Sequence, residues 1–93
     1  MGSQQTRLGG SSYRRITTAT TTNVSTKSAI LRRIVIGTTA AGTITVNDGL
    51  GTVLVLKASM PEGSYQVDAL CVSKLDVITG AASDITIVYD PVA

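Results

Sequence analysis

Short segments rich in β-branched residues recur along the whole chain, and turn-forming residues separate them. The clearest example is "TITVNDGLGTVLVLKAS", residues 43–59, in which "TITV" alternates in polarity, "NDGLG" tolerates positive φ, and "TVLVLKAS" runs back. This pattern predicts a β-hairpin. Because no stretch of about ten residues has apolar side chains at helical spacing, the sequence indicates an all-β fold.

Other segments repeat the same two-residue period. Three segments place alternate residues on one face: "YQVDALCV" (65–72), "KLDVIT" (74–79) and "DITIVYD" (84–90). The residues that share a face are Tyr65, Val67, Ala69 and Cys71 in the first, Leu75 and Val77 in the second, and Ile85, Ile87 and Tyr89 in the third. Pro91 is expected to end pairing. The Thr-rich "YRRITTATTT" (13–22) is expected to form a first strand. The count predicts an antiparallel β-sandwich of seven or eight short strands, for which a jelly roll is one topology.

The segment "AILRRIVIG", residues 29–37, does not fit strict alternation, because Leu31 and Ile34 would then point to opposite faces. A β-bulge at Arg32-Arg33 would bring Leu31, Ile34 and Ile36 onto one face and direct both guanidinium groups outward. We therefore expect a bulge at this position.

The chain divides into two regions. Residues 1–12 are polar and rich in Gly and Ser, which predicts a flexible N-terminal arm that orders only against a partner. Residues 13–93 are expected to form a single β-sandwich domain, with a polar break at "NVSTKS", residues 23–28. A domain of this length buries a modest core, so self-association is a plausible source of added stability.

The composition disfavours most chemistry. The 93 residues contain one cysteine and no histidine, so zinc ligand sets and histidine-based nucleophile triads are missing. Asp68 and Asp76 are expected on outward faces rather than as a hydrolytic pair, Asp48 is interpreted as a turn residue rather than a calcium ligand, and Cys71 is expected to be a small core residue. We expect no catalytic, cofactor or metal site, and no apolar run long enough to cross a membrane.

Charge is distributed unevenly along the chain. Six basic residues and no acid precede residue 34, whereas two lysines and six acids follow. The arginines are the best functional candidates, since a guanidinium group binds carboxylates in bidentate fashion across a protein interface. In this interpretation the two Arg-Arg pairs lie on adjacent strands. An ordinary solvated face is an equally good interpretation of the same arginines. The hypothetical interface residues are Arg7, Arg14, Arg15, Arg32 and Arg33.

With these segments laid out, "LRRIVIGTTAAGTITVNDG" and the closing "SDITIVYD" resemble a recurrent pattern in small structural proteins of tailed bacteriophages. There a Thr-rich strand leads into a Leu-x-x-Ile-Val strand, a T-I-T-V-x-D-G hairpin and a final D-I-T-V-x-Y strand. The similarity covers residues 13–90 and concerns β-pattern and turn residues. The chain departs from the pattern in its penultimate strand, where "ALCVSKLDV" replaces an N-G-L element.

The resemblance implies a non-enzymatic virion protein, made in the host cytoplasm, that decorates or cements a capsid. Its partners would be further copies of itself, as a trimer by analogy with decoration proteins, and the major capsid protein or another virion protein. A tail or fibre module is the first alternative. A nucleic-acid-binding or carbohydrate-binding β-sandwich is the second, which the three tyrosines and absent Trp and Phe disfavour.

Overall fold

Two four-stranded antiparallel sheets make up the structure, a computed structural model that describes residues 12–39 and 41–92. The first sheet has the strand order β1-β8-β3-β6 and the second has the order β2-β7-β4-β5. No helix occurs in these described ranges. The strands are β1 (Ser12–Ile16), β2 (Thr21–Ser25), β3 (Ala29–Thr38), β4 (Ile44–Asn47), β5 (Thr52–Leu56), β6 (Gly63–Cys71), β7 (Leu75–Thr79) and β8 (Asp84–Pro91).

The topology is that of one long hairpin rolled up on itself. Working outward from its tip, β4 pairs with β5, β3 with β6, β2 with β7 and β1 with β8. Rolling then adds the β3–β8 and β4–β7 pairings, which close the two sheets. This is the strand order of a jelly roll, so the predicted sandwich and its candidate topology are confirmed. The "NDGLG" hairpin is the tip of the whole arrangement.

The core between the sheets contains aliphatic side chains and one cysteine. Alternation along each strand turns these residues inward, as the sequence predicts, and Tyr65, Val67 and Tyr89 pack against the core from its edges. Burial raises the pKa of the Cys71 thiol, in keeping with a small core residue. The buried hydrophobic residues are Ile16, Val24, Ala29, Leu31, Ile34, Ile36, Ile44, Val46, Cys71, Leu75, Val77, Ile85 and Ile87.

The predicted bulge in β3 is confirmed. Leu31 pairs with Tyr89 of β8 and Arg33 pairs with the next residue, Val88, so Arg32 is the extra residue. As a result Leu31 and Ile34 are both fully buried, although three positions separate them.

The Thr-rich first strand was predicted incorrectly. β1 ends at Ile16, the chain crosses to the second sheet over 17–20, and β2 begins at Thr21 and continues through part of the expected polar break. The crossing is invisible in the sequence because threonine fills both the strands and the connection. In β2 the inward residues are Thr22 and Val24, each 9% exposed, which keeps the two-residue period.

The expected arm lies outside the described residues, except for Ser12, which is the first residue of β1 and pairs with Tyr89. None of the described residues belongs to a helix that is long and apolar enough to span a membrane.

Candidate binding surface

The outward side of the first sheet carries three of the five arginines that the sequence singles out. β3 has one extra residue relative to β8, and β6 has one extra relative to β3, because Leu31 pairs with Ala69 while Arg33 pairs with Gln66. Asp68 lies in the second bulge with a left-handed φ of 54°. We call this surface the bulged face; its outward residues are Tyr13, Arg15, Ile30, Arg32, Arg33, Val35, Ser64, Gln66, Asp68, Leu70, Asp84, Thr86, Val88 and Asp90.

Arg32 is held by its own chain. Its Nε donates to Asp90 Oδ2 at 2.6 Å, and its Nη1 lies 3.5 Å from Asp68 Oδ1. Gln66 Nε2 donates to the other oxygen of Asp68 at 2.5 Å. These contacts connect β3 to both of its neighbouring strands. Arg32 therefore fixes the bulge and has little freedom to reach a partner.

Arg15 is also engaged within the chain. Its Nε and Nη2 donate to the two carboxylate oxygens of Asp84 at 2.8 and 2.9 Å, which is a bidentate pair. The hydrogen bond from Arg15 is the main reason that the pKa of Asp84 is lowered; desolvation opposes it, and the positive charge of Arg15 lowers the pKa further. This pair connects β1 to β8 at one end of the bulged face.

Arg33 differs from these two arginines because it forms no ion pair with any described residue. It pairs with Val88 on one side and Gln66 on the other, and Val88 pairs with Tyr13. Residues paired in this way share a face, so the four form a row across the sheet. Tyr13 is 72% exposed, which leaves an aromatic ring and an available guanidinium group on one flat surface.

Arg14 lies apart from the bulged face. It pairs with Ile87, whose side chain enters the core, so Arg14 lies at the open edge between the two sheets. The expectation that the two Arg-Arg pairs occupy adjacent strands is wrong, because β8 lies between β1 and β3. Arg7 lies outside the described residues. The structure thus brings Arg15, Arg32 and Arg33 together.

An apolar patch that the sequence analysis missed borders the Arg32 network. Leu70 and Ile30 pair with each other, and Leu70 is 55% exposed. Val72 directly follows β6 and Val92 directly follows β8, and their side chains are 49% and 54% exposed. Ser28 holds both residues: its hydroxyl donates to the Val72 carbonyl, and its carbonyl accepts from the Val92 N–H. The signal that could have revealed the patch is the outward position of Leu70 in the alternation of "YQVDALCV".

The six carboxylates of the chain are all hydrogen-bonded within it. Four form ion pairs, and the other two accept hydrogen bonds from uncharged groups: Asp48 from the N–H groups of Leu50 and Gly51, and Glu62 from Thr39. The backbone hydrogen bonds, that from Leu50 first, lower the pKa of Asp48 and confirm its interpretation as a turn residue. The four ion-paired carboxylates are Asp68, Asp76, Asp84 and Asp90.

The two carboxylates that the sequence analysis weighed as a hydrolytic pair lie on different sheets. Asp68 belongs to the first sheet and Asp76 to the second, where Asn23 Nδ2 at 2.7 Å and Lys74 Nζ at 3.0 Å hold its carboxylate. Among residues 12–39 and 41–92, no three His, Cys, Asp or Glu side chains lie close enough to hold a metal ion. The bulged face offers an apolar patch and one guanidinium group, that of Arg33, without an ion pair among the described residues.

Comparison with protein-family models, with curated proteins and with solved structures finds no match for the chain. The bulged face is therefore interpreted from its own geometry.

Proposed function

We propose that this protein is a non-enzymatic virion component that docks on the particle surface through the bulged face. The observation that carries the proposal is the combination, on one sheet surface, of an exposed apolar patch with an arginine that has no ion-pair partner among the described residues. Protein interfaces commonly have an apolar centre and a polar rim, and arginine is more frequent in interfaces than on the rest of the surface.

The partner on the bulged face would be a different protein that presents carboxylates. A second copy suits Arg33 poorly, because four of the chain's carboxylates already form ion pairs and the other two accept hydrogen bonds from neighbours within the chain. A guanidinium group that meets an acidic surface gains charge-assisted hydrogen bonds without breaking an internal pair. The major capsid protein, or another virion protein, would supply that surface.

Self-association would use the sheet edges instead. β1 and β6 border the first sheet, and β2 and β5 border the second, so within residues 12–39 and 41–92 each of these strands pairs with a neighbouring strand on one side only. Closed symmetric contacts between such edges would multiply weak docking contacts into strong attachment. The trimer remains an analogy with decoration proteins.

The fold is compatible with this role but does not select it. Jelly rolls occur in viral capsid proteins, in lectins and in cupins. The sequence has no histidine, which disfavours a cupin-type metal site. It has three aromatic residues, all tyrosines, which disfavours the aromatic platform of a carbohydrate-binding site. A capsid, tail or fibre position would use the same surface.

The test is co-sedimentation with particles of the phage that encodes the protein, at about 50 and about 300 mM salt, which spans strong and weak screening. The wild type is expected to bind at low salt. Arg33→Ser should weaken binding about tenfold, the typical effect of one charge-assisted hydrogen-bonding group. Lys57→Ser is the matched control, because it removes one exposed positive charge from the opposite sheet and should leave binding unchanged.

Equal loss in both variants would show that net charge, rather than the bulged face, drives the interaction. A protein that ignores particles but retards DNA in a gel would favour the nucleic-acid alternative, for which Tyr13 and Arg33 offer a stacking and phosphate-binding pair. Mass measurement of the free protein by light scattering tests self-association separately.

A further inference from the structure

A polar cleft opens where the chain crosses from the first sheet to the second. It has a volume of about 380 Å³. All of its lining residues come from the segment 14–23, of which Ala19 is the one residue that does not line it. Sites for small ligands typically have volumes of roughly 300–1,000 Å³. The cleft shares Arg15 with the bulged face but lies at the other end of the first sheet from the apolar patch and is not lined by Arg33, so a ligand there does not require the proposed function.

The wall of the cleft is preformed by contacts to a neighbouring strand. The Thr79 hydroxyl donates to the Thr18 carbonyl at 2.6 Å and accepts from the Thr20 N–H at 3.0 Å. The Thr79 N–H donates to the Thr20 carbonyl at 2.9 Å, and the Ser83 N–H lies 3.4 Å from the Thr17 carbonyl. Because these bonds fix the connection between β1 and β2, a ligand would not have to order it.

The charges around the cleft favour an anion. Two arginines line it, and no carboxylate of the residues that the structure describes does. The bidentate contact with Asp84 neutralises Arg15, whereas Arg14 forms no ion pair with any residue that the structure describes. The cleft therefore has one unpaired guanidinium group, which matches a phosphate or sulfate group in shape and charge.

The rest of the lining favours a ligand rich in hydroxyl groups. The hydroxyls of Thr17, Thr18 and Thr21 make no hydrogen bond to any described residue, so each has a donor and lone pairs available. Ile16 is the one large apolar side chain of the lining, and it is buried in the core. An apolar ligand would find little surface here.

We propose that this cleft binds a sugar carrying a phosphate or sulfate ester. The Arg14 guanidinium would hold the ester group, and the threonine hydroxyls would hydrogen-bond to the sugar hydroxyls. Such a ligand could be a free sugar ester or the end group of a larger anionic glycan, which share this chemistry.

The experiment is a titration of the full-length, isotope-labelled protein followed by amide chemical shifts. Glucose 6-phosphate is expected to cause saturable shifts in residues 14–23, and sodium chloride at matched ionic strength is not. Inorganic phosphate should bind at least about threefold more weakly, since it lacks the sugar hydroxyls, and glucose should give no saturable shift. A glycan fragment with a terminal sulfate ester tests the polymeric source.

Arg14→Ser is expected to lower the affinity for glucose 6-phosphate at least about tenfold while its spectrum shows an intact fold. Arg33→Ser, which removes another exposed arginine that lies outside the cleft, should bind like the wild type. The proposal is overturned if sodium chloride causes the same shifts as glucose 6-phosphate, or if the largest shifts surround Arg33 or Lys57. It is also overturned if glucose 6-phosphate shifts the Arg14→Ser variant as it shifts the wild type. Equal affinities for inorganic phosphate and glucose 6-phosphate would also overturn it.

Discussion

The bulge at Arg32-Arg33 predicts opposite effects for two neighbouring substitutions. With the bulge, Ile34 faces the core and is fully buried, while Val35 faces outward beside Thr86 and Ser64. Without it, strict alternation from Leu31 would send Val35 into the core and Ile34 outward. Ile34→Val and the nearly isosteric Val35→Thr therefore distinguish the two arrangements.

The expected magnitudes follow from burial. Ile34→Val removes one methyl group from a packed core and should cost about 0.5–1.5 kcal/mol of unfolding free energy. Val35→Thr places a hydroxyl on the outward face and should change that free energy by less than about 0.5 kcal/mol. If Val35 were in the core, burying its new hydroxyl would instead cost about 1–3 kcal/mol.

Urea unfolding followed by circular dichroism measures both variants. With a urea dependence of about 1.5 kcal/mol per M, Ile34→Val should lower the midpoint by about 0.3–1 M, whereas Val35→Thr should leave it nearly unchanged. Both slopes should match that of the wild type. A larger loss for Val35→Thr than for Ile34→Val would refute the bulge and, with it, the outward position of Arg33.

Three further predictions concern single contacts, each read from unfolding midpoints. Thr79→Val should destabilise by about 1–3 kcal/mol, because it leaves backbone groups of the β1–β2 connection unpaired, and Thr79→Ser should lose less. Gly42→Ala should cost about 1–3 kcal/mol, since its Cβ would lie 2.7 Å from the Gly80 carbonyl carbon, whereas Gly51→Ala, with nothing within 4 Å, should be tolerated. Because the pKa of Asp84 is lower in the folded protein, the unfolded chain binds the proton first as the pH falls. The stability that the ionised Asp84 contributes should therefore be lost as the pH falls below about 4. The Asp84→Asn variant should show a smaller loss of stability over the same pH range. If the unfolding midpoint of the wild type did not change between pH 6 and pH 3, the prediction for Asp84 would be contradicted.

Local signals were sufficient for much of the fold. The "NDGLG" turn predicts its hairpin because positive φ and flanking alternation are short-range properties, and Gly49 does adopt a φ of 88°. The bulge was predictable because Leu31 and Ile34 cannot both be buried without it. The crossing at residues 17–20 was not, because a run of threonines shows no contrast between inward, outward and connecting positions.

The candidate site depends on long-range pairing, which composition does not reveal. Arg15 binds Asp84, 69 positions away, only because β1 pairs with β8 in one particular register. The same reasoning applies to Arg32 and Asp90, 58 positions apart. Two neighbouring arginines in one triplet therefore differ in role: Arg32 stabilises the bulge, whereas Arg33 remains available to a partner.

The most direct test of the virion proposal is quantitative mass spectrometry of density-gradient-purified phage particles from the host that carries the coding sequence. The account predicts that the protein co-purifies with the particles at a fixed copy number relative to the major capsid protein, and that Arg33→Ser lowers that number while leaving its amount in the lysate unchanged. A protein that is abundant in the lysate and absent from the purified particles would contradict it.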